Sequence, residues 1–286
     1  MSQQELRDRR HAVEAVRDVV SAMRATAAGR IQAAQRAMAA ARQYREIVAR
    51  GLGAVGPAAR LIAPHANSGG VLLIVLTSEQ PLCGGFNHAV VERAIRAHQE
   101  FSRSGKVKLL AVGQRGSRVI ASRGLLPDQI EPGATSLGGV RDLVRRLSTR
   151  ADHGYASGKL AAVDVVYARY HSVSEQVPTV ERVLPLDPSV VPFPSRPVTF
   201  CRYLPEPELV AGLVSQFAFI SLYHAAAESY ASEQASRLVA MDGATRNTSR
   251  MVDELVGLER RERQNDITRQ MLELTAGRFV GETGSQ

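Results

Sequence analysis

The sequence is poor in the residues that build metal sites and thick cores. Its 286 residues include two cysteines and no tryptophan, and aromatic residues make up 5% of the chain. Cys83 and Cys201 are far apart, and neither lies at metal-ligand spacing from a histidine or an aspartate. This pattern indicates neither a disulfide framework nor a zinc site, and it favours a reducing compartment. The few large side chains limit how thick a core the chain can fill.

An apolar leader is also missing. The first 18 residues, MSQQELRDRRHAVEAVRD, carry charges where a secretory signal needs an apolar run, so we expect no export. The stretch from Leu209 to Ala227 contains no Asp, Glu, Lys or Arg and approaches membrane-spanning length. Gln216, Tyr223 and His224 lower its hydropathy. We therefore expect a buried helix here rather than a membrane span.

Acidic residues are outnumbered by basic ones. The formal net charge is +8 and the isoelectric point is near 10. Such a balance implies attraction to something acidic, which includes nucleic acid, an anionic membrane surface and an acidic protein face. Charge alone leaves all three open.

The N-terminal segment has a heptad pattern. Every seventh residue is apolar, and a second row follows three residues later, although Arg9 and Arg30 interrupt it. Glycines and a proline then mark the end of the helix at 51–57. The pattern predicts a coiled-coil seam, and an amphipathic helix on an ordinary bundle stays open. The first row is Leu6, Val13, Val20, Ala27, Ala34, Ala41, Val48 and Val55, and the second row is Val16, Met23, Ala37 and Tyr44.

The C-terminal segment predicts a matching helix. No proline occurs after Pro207 as far as Gly277. A helix of about 70 residues is roughly 105 Å long, so we expect it to project from any domain. Its seam is Ala, Thr and Gln in the middle, which lets two backbones approach closely and predicts a slender shaft. The seam is Leu213, Phe217, Ile220, His224, Ala227, Ala231, Gln234, Leu238, Met241, Thr245, Thr248, Val252 and Leu255.

The segment between the two helices alternates strands with helices. This order predicts an α/β sheet with parallel pairing and a last strand at its edge. We therefore expect a long coiled coil of the terminal helices around an inserted Rossmann-like α/β domain. The predicted boundaries are 1–57, 70–200 and 206–280. The predicted strands are 71–77, 106–113, 161–172 and 177–186, and the predicted helices between them are 88–105, 114–124 and 140–154.

No nucleotide motif lies in the right place. Gly51, Gly53 and Gly56 match G-x-G-x-x-G, but they follow a helix and precede the first strand, so we reject the match. The chain has no G-x-x-x-x-G-K-[ST] motif, which excludes a P-loop. The GQRG stretch at 113–116 follows a strand and predicts a tight turn. We expect no cofactor.

The segment PLCGGFN, 81–87, follows the first strand and offers one candidate nucleophile. Cys83 would need a neighbouring base or cation to lower its pKa, and His88 is near in sequence. No third orienting group can be placed, so a backbone turn that uses Gly84 and Gly85 is the favoured interpretation. We expect neither catalytic nor metal-binding residues. The other histidines are scattered and none lies at ligand spacing from another: His11, His65, His98, His153, His171 and His224.

A charged segment, ERRERQNDIT at 259–268, lies late in the long helix. It is interpreted either as a solvated face with i,i+4 pairs or as a polar patch that docks on a partner without binding it permanently.

Several segments together resemble the gamma subunit of F-type ATP synthases. They are 19–38, 81–87, 176–186, 231–255 and 261–277, in the order expected and over nearly the whole chain. The resemblance implies a central rotor shaft, an antiparallel coiled coil that stands inside a ring of three alpha and three beta subunits. The α/β domain would then lie near its base.

The chain departs from the family pattern at three places. Val19, Val20 and Ser21 replace a Lys-Ile-Thr run, 80–81 replace an Arg-Gly pair, and Asp242 replaces a lysine. These differences indicate a divergent or alternate F-type enzyme. The cysteine pair of the chloroplast form is absent, so we expect no thiol switch.

The resemblance implies two contacts with the beta subunits. Met23 and Arg237 resemble residues near the bearing between shaft and beta subunit. Arg263, Gln264 and Thr268 resemble the polar contact with a catalytic beta subunit, and they lie in the charged segment. The family's beta subunits present an acidic loop to the shaft, which would attract a basic rod.

The resemblance also implies a foot on the membrane ring. Tyr203 and Glu206 resemble its contact residues, although Pro205 replaces the family's usual tyrosine. The implied partners are the alpha, beta and epsilon subunits and the c-ring, with one copy of this chain per complex. The implied location is peripheral, on the cytoplasmic face of a bacterial or archaeal membrane.

Three function classes are thus considered, of which an enzyme built on the α/β domain is the third; for it we expect no binding of ATP or NAD. The first is a rotor subunit without an active site of its own, in a complex that transports protons or another ion and makes ATP. The second is a basic coiled-coil protein that binds nucleic acid through its phosphates. The second accounts for the charge but not for the α/β insert, and no aromatic residues lie among the basic clusters to stack on bases.

Overall fold

The structure, a computed structural model, describes residues 3–55, 69–193 and 203–283, with side chains given as far as Leu272. The chain divides into a helix-pair unit, Met1–Ala25 with Met241–Gln286, and an α/β unit, Thr26–Ala240. The predicted helix end at Gly56 and Pro57 lies outside the described residues, as does Cys201. The elements are α1 (Gln3–Val55), β1 (Gly70–Leu76), α2 (Phe86–Ser102), β2 (Val107–Val112), α3 (Gln114–Ser122), β3 (Gln129–Glu131), α4 (Leu137–Ala156), β4 (Leu160–Tyr170), β5 (Gln176–Leu184) and α5 (Glu206–Thr283).

The α/β unit contains one five-stranded sheet in the order β3-β2-β1-β4-β5. The pairs β1–β2, β1–β4 and β2–β3 are parallel, and β5 pairs antiparallel with β4 at the edge. The predicted parallel sheet and the predicted edge strand are both confirmed. The sequence prediction missed β3, because its three residues Gln129, Ile130 and Glu131 are too few to show a strand pattern.

Helices cover both faces of the sheet, which is why β1 is a continuous apolar run. Alternate residues of β1 pack into two separate hydrophobic cores, one on each face of the sheet. Leu72 and Ile74 pack with α1, α4 and α5, whereas Leu73 and Val75 pack with α2 and α3. The predicted Rossmann-like arrangement is confirmed in this unit.

The first heptad row of α1 is confirmed and the second is wrong in its spacing. All eight residues of the first row are buried or half-buried, but Val16 and Tyr44 of the second row are exposed. The real second row follows four residues after the first, and the charges in its N-terminal half hid it from a search for apolar residues. It consists of Arg10, Arg17, Arg24, Ile31, Met38, Arg45 and Leu52.

The small residues of α5 in the α/β unit are buried in a core. Ala218, Ala227 and Ala231 are 0% exposed and share a core with Ala34 of α1 and with the sheet. Alanine permits a close approach of three layers, so these residues do more than form a two-helix seam. The helix Glu206–Leu272 contains an 18-residue stretch that, by length and composition alone, is apolar enough to cross a membrane. Packing in this core accounts for the apolar stretch, as the sequence predicted.

In the helix-pair unit, α1 and α5 run antiparallel. The Arg10 Nε–Glu259 Oε1 distance is 2.8 Å, and the Arg24 Nη1–Asp242 Oδ1 distance is 3.0 Å. A step of 14 residues forward on α1 therefore corresponds to a step of 17 residues back on α5. Arg10 and Arg24 of the second row thus pair with carboxylates of the partner helix, whereas Arg17 pairs with Asp18 of its own helix. The predicted antiparallel pairing is confirmed within this unit.

Close packing in the α/β unit predicts that Ala34→Leu destabilises the chain. Ala34 is 0% exposed, so the larger side chain must displace α5 or the sheet. We expect a loss of about 1–3 kcal/mol in the free energy of unfolding, measured by urea denaturation. Ala40→Leu, at an exposed position of the same helix, is the control and should change stability by less than about 0.5 kcal/mol. Equal stability of the two variants would contradict the close approach.

Candidate functional site

The sheet has a topological switch point between β1 and β4. β1 pairs with β2 on one side and β4 on the other, and α2 and α4 lie on opposite faces. In sheets of this kind, ligands bind in the crevice outside the carboxyl ends of the strands at the switch point. Any small-molecule site inherited from the fold is therefore expected beyond Leu76 and Ala168.

Helix α5 lies across that crevice. The Ser229 hydroxyl donates to the carbonyl oxygen of Leu76 at 3.4 Å, and the Ser232 hydroxyl donates to that of Ala168 at 2.9 Å. Ser232 is 0% exposed. The strand ends that would face a ligand thus face the chain's own helix. We name these two contacts, from Ser229 and Ser232 to the strand ends, the crevice lock. They were not predicted from the sequence, because a serine in a helix gives no sign of a distant hydrogen-bond partner.

The turn after β1 is held by a buried hydrogen-bond network. Asn87 accepts from the Ser78 backbone N–H at 3.0 Å and donates to the Ser78 hydroxyl at 2.7 Å. The Cys83 thiol lies 3.4 Å from the same hydroxyl. Leu82 and Gly84 have positive φ angles of 66° and 54°, which only the glycine adopts without strain. The interpretation as a backbone turn is confirmed for the residues before α2, with Gly84 in the conformation expected. The expectation for Gly85 is wrong, because its φ of −82° is open to any residue.

Cys83 does not have the surroundings of a nucleophile. Its side chain is buried, and burial raises the pKa of the thiol, so the reactive thiolate is disfavoured. His88, the base considered from the sequence, is exposed on α2, and the buried network links the thiol to Ser78 and Asn87 instead.

A buried ion pair joins this turn to α5. Arg237 Nη2 donates to Glu233 Oε1 at 2.8 Å and to the carbonyl oxygen of Pro81 at 3.3 Å. The two side chains are 3% and 7% exposed. Burial raises the pKa of Glu233 to about 6, although the adjacent guanidinium opposes the shift. Arg237 therefore anchors the turn from within the α/β unit.

The tight turn predicted at 113–116 is wrong, because residues 114–116 are the first residues of α3 and Gly113 alone precedes the helix. A carboxylate already satisfies this helix N-terminus. Gly113 has a φ of 98° at the start of α3. Glu79 Oε2 accepts from the backbone N–H groups of Gln114, at 3.1 Å, and Gly133, at 2.7 Å. The position in which this helix N-terminus could hold a phosphate is thus occupied by a side chain of the chain itself.

The other residues predicted as contacts lie apart and mostly at the surface. Met23 is half-buried, and Arg263, Gln264 and Thr268 are exposed, all in the helix-pair unit. The Thr268 hydroxyl donates to the Gln264 carbonyl at 2.9 Å. Within the described side chains, no ion pair joins two residues of 259–268. The i,i+4 ion pairs that the solvated-face interpretation predicts are therefore not formed inside this segment. Glu259 pairs with Arg10 instead.

The foot residues begin α5 in the α/β unit. Tyr203 is 93% exposed, and Glu206, the first residue of the helix, is half-buried. The predicted contacts thus belong to both units: Met23, Arg263, Gln264 and Thr268 to the helix-pair unit, and Tyr203, Glu206 and Arg237 to the α/β unit.

Comparison with known proteins identifies the family. A family model described as ATP synthase matches residues 2–278. The ATP synthase gamma chain of Moorella thermoacetica is 31% identical, over 96% of both chains. That of Fuscovulum blasticum is 34% identical, over 96% of this chain and 98% of its own. The chain belongs to the ATP synthase gamma chain family.

Solved structures support the same fold. A chain of the central stalk and c-ring of the Tetrahymena thermophila mitochondrial ATP synthase is similar, with a TM-score of 0.58 and 21% identity over 79% of this chain and 99% of its own. A rotor chain of the Euglena gracilis enzyme has a TM-score of 0.58 and 14% identity, over 93% of this chain and 98% of its own. At these identities the likeness shows the fold.

Family membership confirms the resemblance to gamma subunits and decides between the function classes considered from the sequence. The chain is a gamma subunit, a non-catalytic stalk subunit of a membrane-associated ATP synthase, and the nucleic-acid alternative is not supported. The crevice lock gives a physical reason for the missing catalytic site, because the chain's own helix covers the strand ends where α/β enzymes bind their ligands.

The buried pair predicts a large effect of Arg237→Met. The substitution leaves the Glu233 carboxyl buried without its partner and frees the Pro81 carbonyl. We expect a loss of about 3–5 kcal/mol in unfolding free energy, measured by urea denaturation. Adding Glu233→Gln removes the unpaired charge, so the double variant should be more stable than the single one. A double variant that is less stable would show that Glu233 acts independently of Arg237.

The buried network predicts a slow thiol at position 83. In a Cys201→Ser background, Cys83 should react with a disulfide reagent at pH 8 about tenfold or more slowly in the folded chain than after unfolding. Equal rates in the two states would mean that the thiol is accessible and would restore it as a candidate nucleophile.

Proposed function

We propose that this chain is the central rotor shaft of an F-type ATP synthase, coupling rotation of a membrane ring to ATP synthesis or hydrolysis in the beta subunits. The proposed partners are the alpha and beta subunits, the epsilon subunit and the c-ring, with one copy of this chain per complex. The proposed location is peripheral, on the cytoplasmic face of the membrane.

One observation carries the proposal: a single helix belongs to both units. Residues of α5 near Ser232 and Arg237 are fixed to the sheet and to the turn at Pro81, and its later residues pair with α1 in the helix-pair unit. A shaft needs such an element, because torque applied to the α/β unit must reach the helix pair through continuous covalent and hydrogen-bonded structure.

The mechanism assigns no chemistry to this chain. An asymmetric shaft presents different faces in turn to three otherwise equivalent beta subunits, so each one is biased toward a different conformation and nucleotide affinity. The excess of basic residues, 36 against 28 acidic ones, favours contact with an acidic loop of the beta subunits without one fixed register.

The first proposed contact is the exposed patch of Arg263, Gln264 and Thr268. In the described structure, Arg263 has no hydrogen bond or ion pair to another residue and Gln264 uses only its backbone carbonyl, so their side chains are available to a partner. Gln264 and Thr268 are four residues apart and therefore lie on one face of α5. A beta subunit would bind this face in one rotary position.

The second proposed contact is the bearing near Met23 and Arg237. Met23 is half-buried and offers a polarisable, adaptable surface to a beta subunit. Arg237 is buried, so its role is better explained as positioning: it holds the Pro81 carbonyl and thereby the exposed Leu82 beside it.

The third proposed contact is the foot. Tyr203 offers an exposed ring with a polar end, and Glu206 begins α5, where the helix dipole favours a negative charge. These two residues would meet polar groups of the membrane ring.

Substitution of the patch tests the proposal. Gln264→Ala or Arg263→Ala should lower coupled ATP synthesis in the assembled complex, while circular dichroism and urea denaturation of the isolated chain stay unchanged, because both side chains are exposed. Arg269→Ala is the control. It removes an exposed arginine six residues from Arg263, about 240° around the helix, and should leave synthesis intact.

The outcomes separate the patch from the family role. Unchanged synthesis in both variants would remove the patch from the mechanism while leaving the shaft in place. Failure of a C-terminally tagged chain to copurify with alpha and beta subunits and ATPase activity from native membranes would contradict the shaft itself.

A further inference from the structure

A cavity that the proposed rotor function does not use lies in the α/β unit, between α1, α5 and strands β4 and β5. Its volume is about 730 Å³. Its walls carry four arginines, Arg42, Arg45, Arg169 and Arg182, the last of which is paired with Asp164 at 2.7 Å. They also carry a stripe of α5 formed by Ser221, His224 and Glu228. The spacing of three and four residues places the stripe on one face of the helix.

All three side chains of the stripe have a buried polar atom without a hydrogen-bond partner in the described structure. These atoms are the Ser221 hydroxyl oxygen, His224 Nε2 and Glu228 Oε2. The side chains are only 4%, 7% and 5% exposed. Buried polar atoms are nearly always paired, because leaving one unpaired costs about 1–3 kcal/mol. Three such atoms in one cavity indicate that something polar binds there.

The positive groups of the cavity are only partly neutralised. Glu181 lies between Arg45 and Arg169, with nitrogen–oxygen distances of 3.5 Å to each, and accepts from the Tyr167 hydroxyl at 2.7 Å. Glu228 Oε2 lies a further 3.9 Å from Arg169 Nε, so Arg169 has two carboxylate neighbours and Arg45 has only Glu181 among the described residues. Arg42 is exposed and has no ion pair in the described structure. Glu46 and Asp187 lie at the exposed rim, where water screens their charge.

The two titratable side chains of the stripe, His224 and Glu228, favour forms that donate hydrogen bonds into the cavity. Burial lowers the pKa of His224 to about 4, with Arg45, Arg42 and Arg169 adding to the shift and Glu181 opposing it. The ring is thus neutral at pH 7, and its Nε2 tautomer can donate a hydrogen bond. Burial also raises the pKa of Glu228, with Glu181 adding to the shift and Tyr167, Arg169 and Arg42 opposing it. Its protonated form, a donor, is present at higher pH than for an exposed carboxyl.

We propose that this cavity binds an oxyanion of the phosphate type, held by the guanidinium groups of Arg42, Arg45 and Arg169 and by donors from Ser221 and His224. A metal cation does not fit these walls, because among the described residues no His, Cys, Asp and Glu side chains form a metal-binding group and guanidinium groups supply no ligand atoms. An apolar molecule would leave the three buried polar atoms unpaired. Oxygens of an oxyanion accept from every one of these donors, and arginine matches their planar spacing.

The same chemistry has two sources. A free phosphate compound or an acidic side chain of a partner subunit could supply the oxygens. Either one would tie α1 to α5 and to the sheet, because its partners belong to all three.

Calorimetric titration of the full chain with inorganic phosphate and pyrophosphate tests the site. We expect saturable binding to one site, weakened about tenfold or more by Ser221→Ala and by Arg42→Gln. Arg141→Gln, which removes an exposed arginine of α4 outside the cavity, should leave the affinity unchanged.

Repeating the titration on the assembled complex distinguishes the sources. Binding to both the chain and the complex supports a free anion, and binding to the chain alone supports a partner's acidic side chain in the cavity. No saturable binding, or an equal loss in Arg42→Gln and Arg141→Gln, would overturn the proposal. Neither result bears on the rotor function, which the patch variants test separately.

Discussion

The close approach of α5 to the ends of β1 and β4 is the constraint on which the α/β unit depends. Hydroxyls of Ser229 and Ser232 reach strand carbonyls only because alanines and serines around them add little bulk. The same small side chains allow α1 to pack on the other side through Ala34. Larger residues would separate the three layers and leave the strand-end carbonyls buried without donors, which costs more than the apolar contact would gain.

Polar contacts, more than apolar ones, fix the rotation of α5 about its own axis. Alanines on several faces of a helix tolerate many orientations, since they differ little in shape. Ser232 and Arg237 do not, because each reaches one specific carbonyl and a shift of one residue turns the helix by about 100°. Buried polar groups often specify a unique arrangement at some expense of stability. In a chain that transmits torque, these specific hydrogen bonds oppose rotation or sliding of α5 against the sheet.

The sequence predicted the features that repeat. The first heptad row of α1 recurs at a fixed period and the run 71–77 is continuously apolar, so the long helix and a strand covered on both faces could be inferred. The antiparallel direction of the helix pair came from the family resemblance. The second row was missed because Arg10, Arg17 and Arg24 occupy it, and a polar row is visible only beside its partner carboxylates. The crevice lock depends on contacts between residues 64 and 153 positions apart, which no local pattern encodes. The contact surfaces came from family resemblance, and single-chain geometry cannot derive them.

The α/β unit shows how a ligand-binding fold can become a mechanical one. At the switch point, an enzyme leaves the strand ends open and uses their dipoles and helix N-termini to hold a ligand. In this chain Ser229 and Ser232 take the place of ligand atoms, and Glu79 takes the place of a phosphate at α3. A bound ligand dissociates, but a helix of the same chain stays attached. The exchange therefore converts a site of reversible binding into a permanent joint between helix and sheet, which a chain that transmits torque requires.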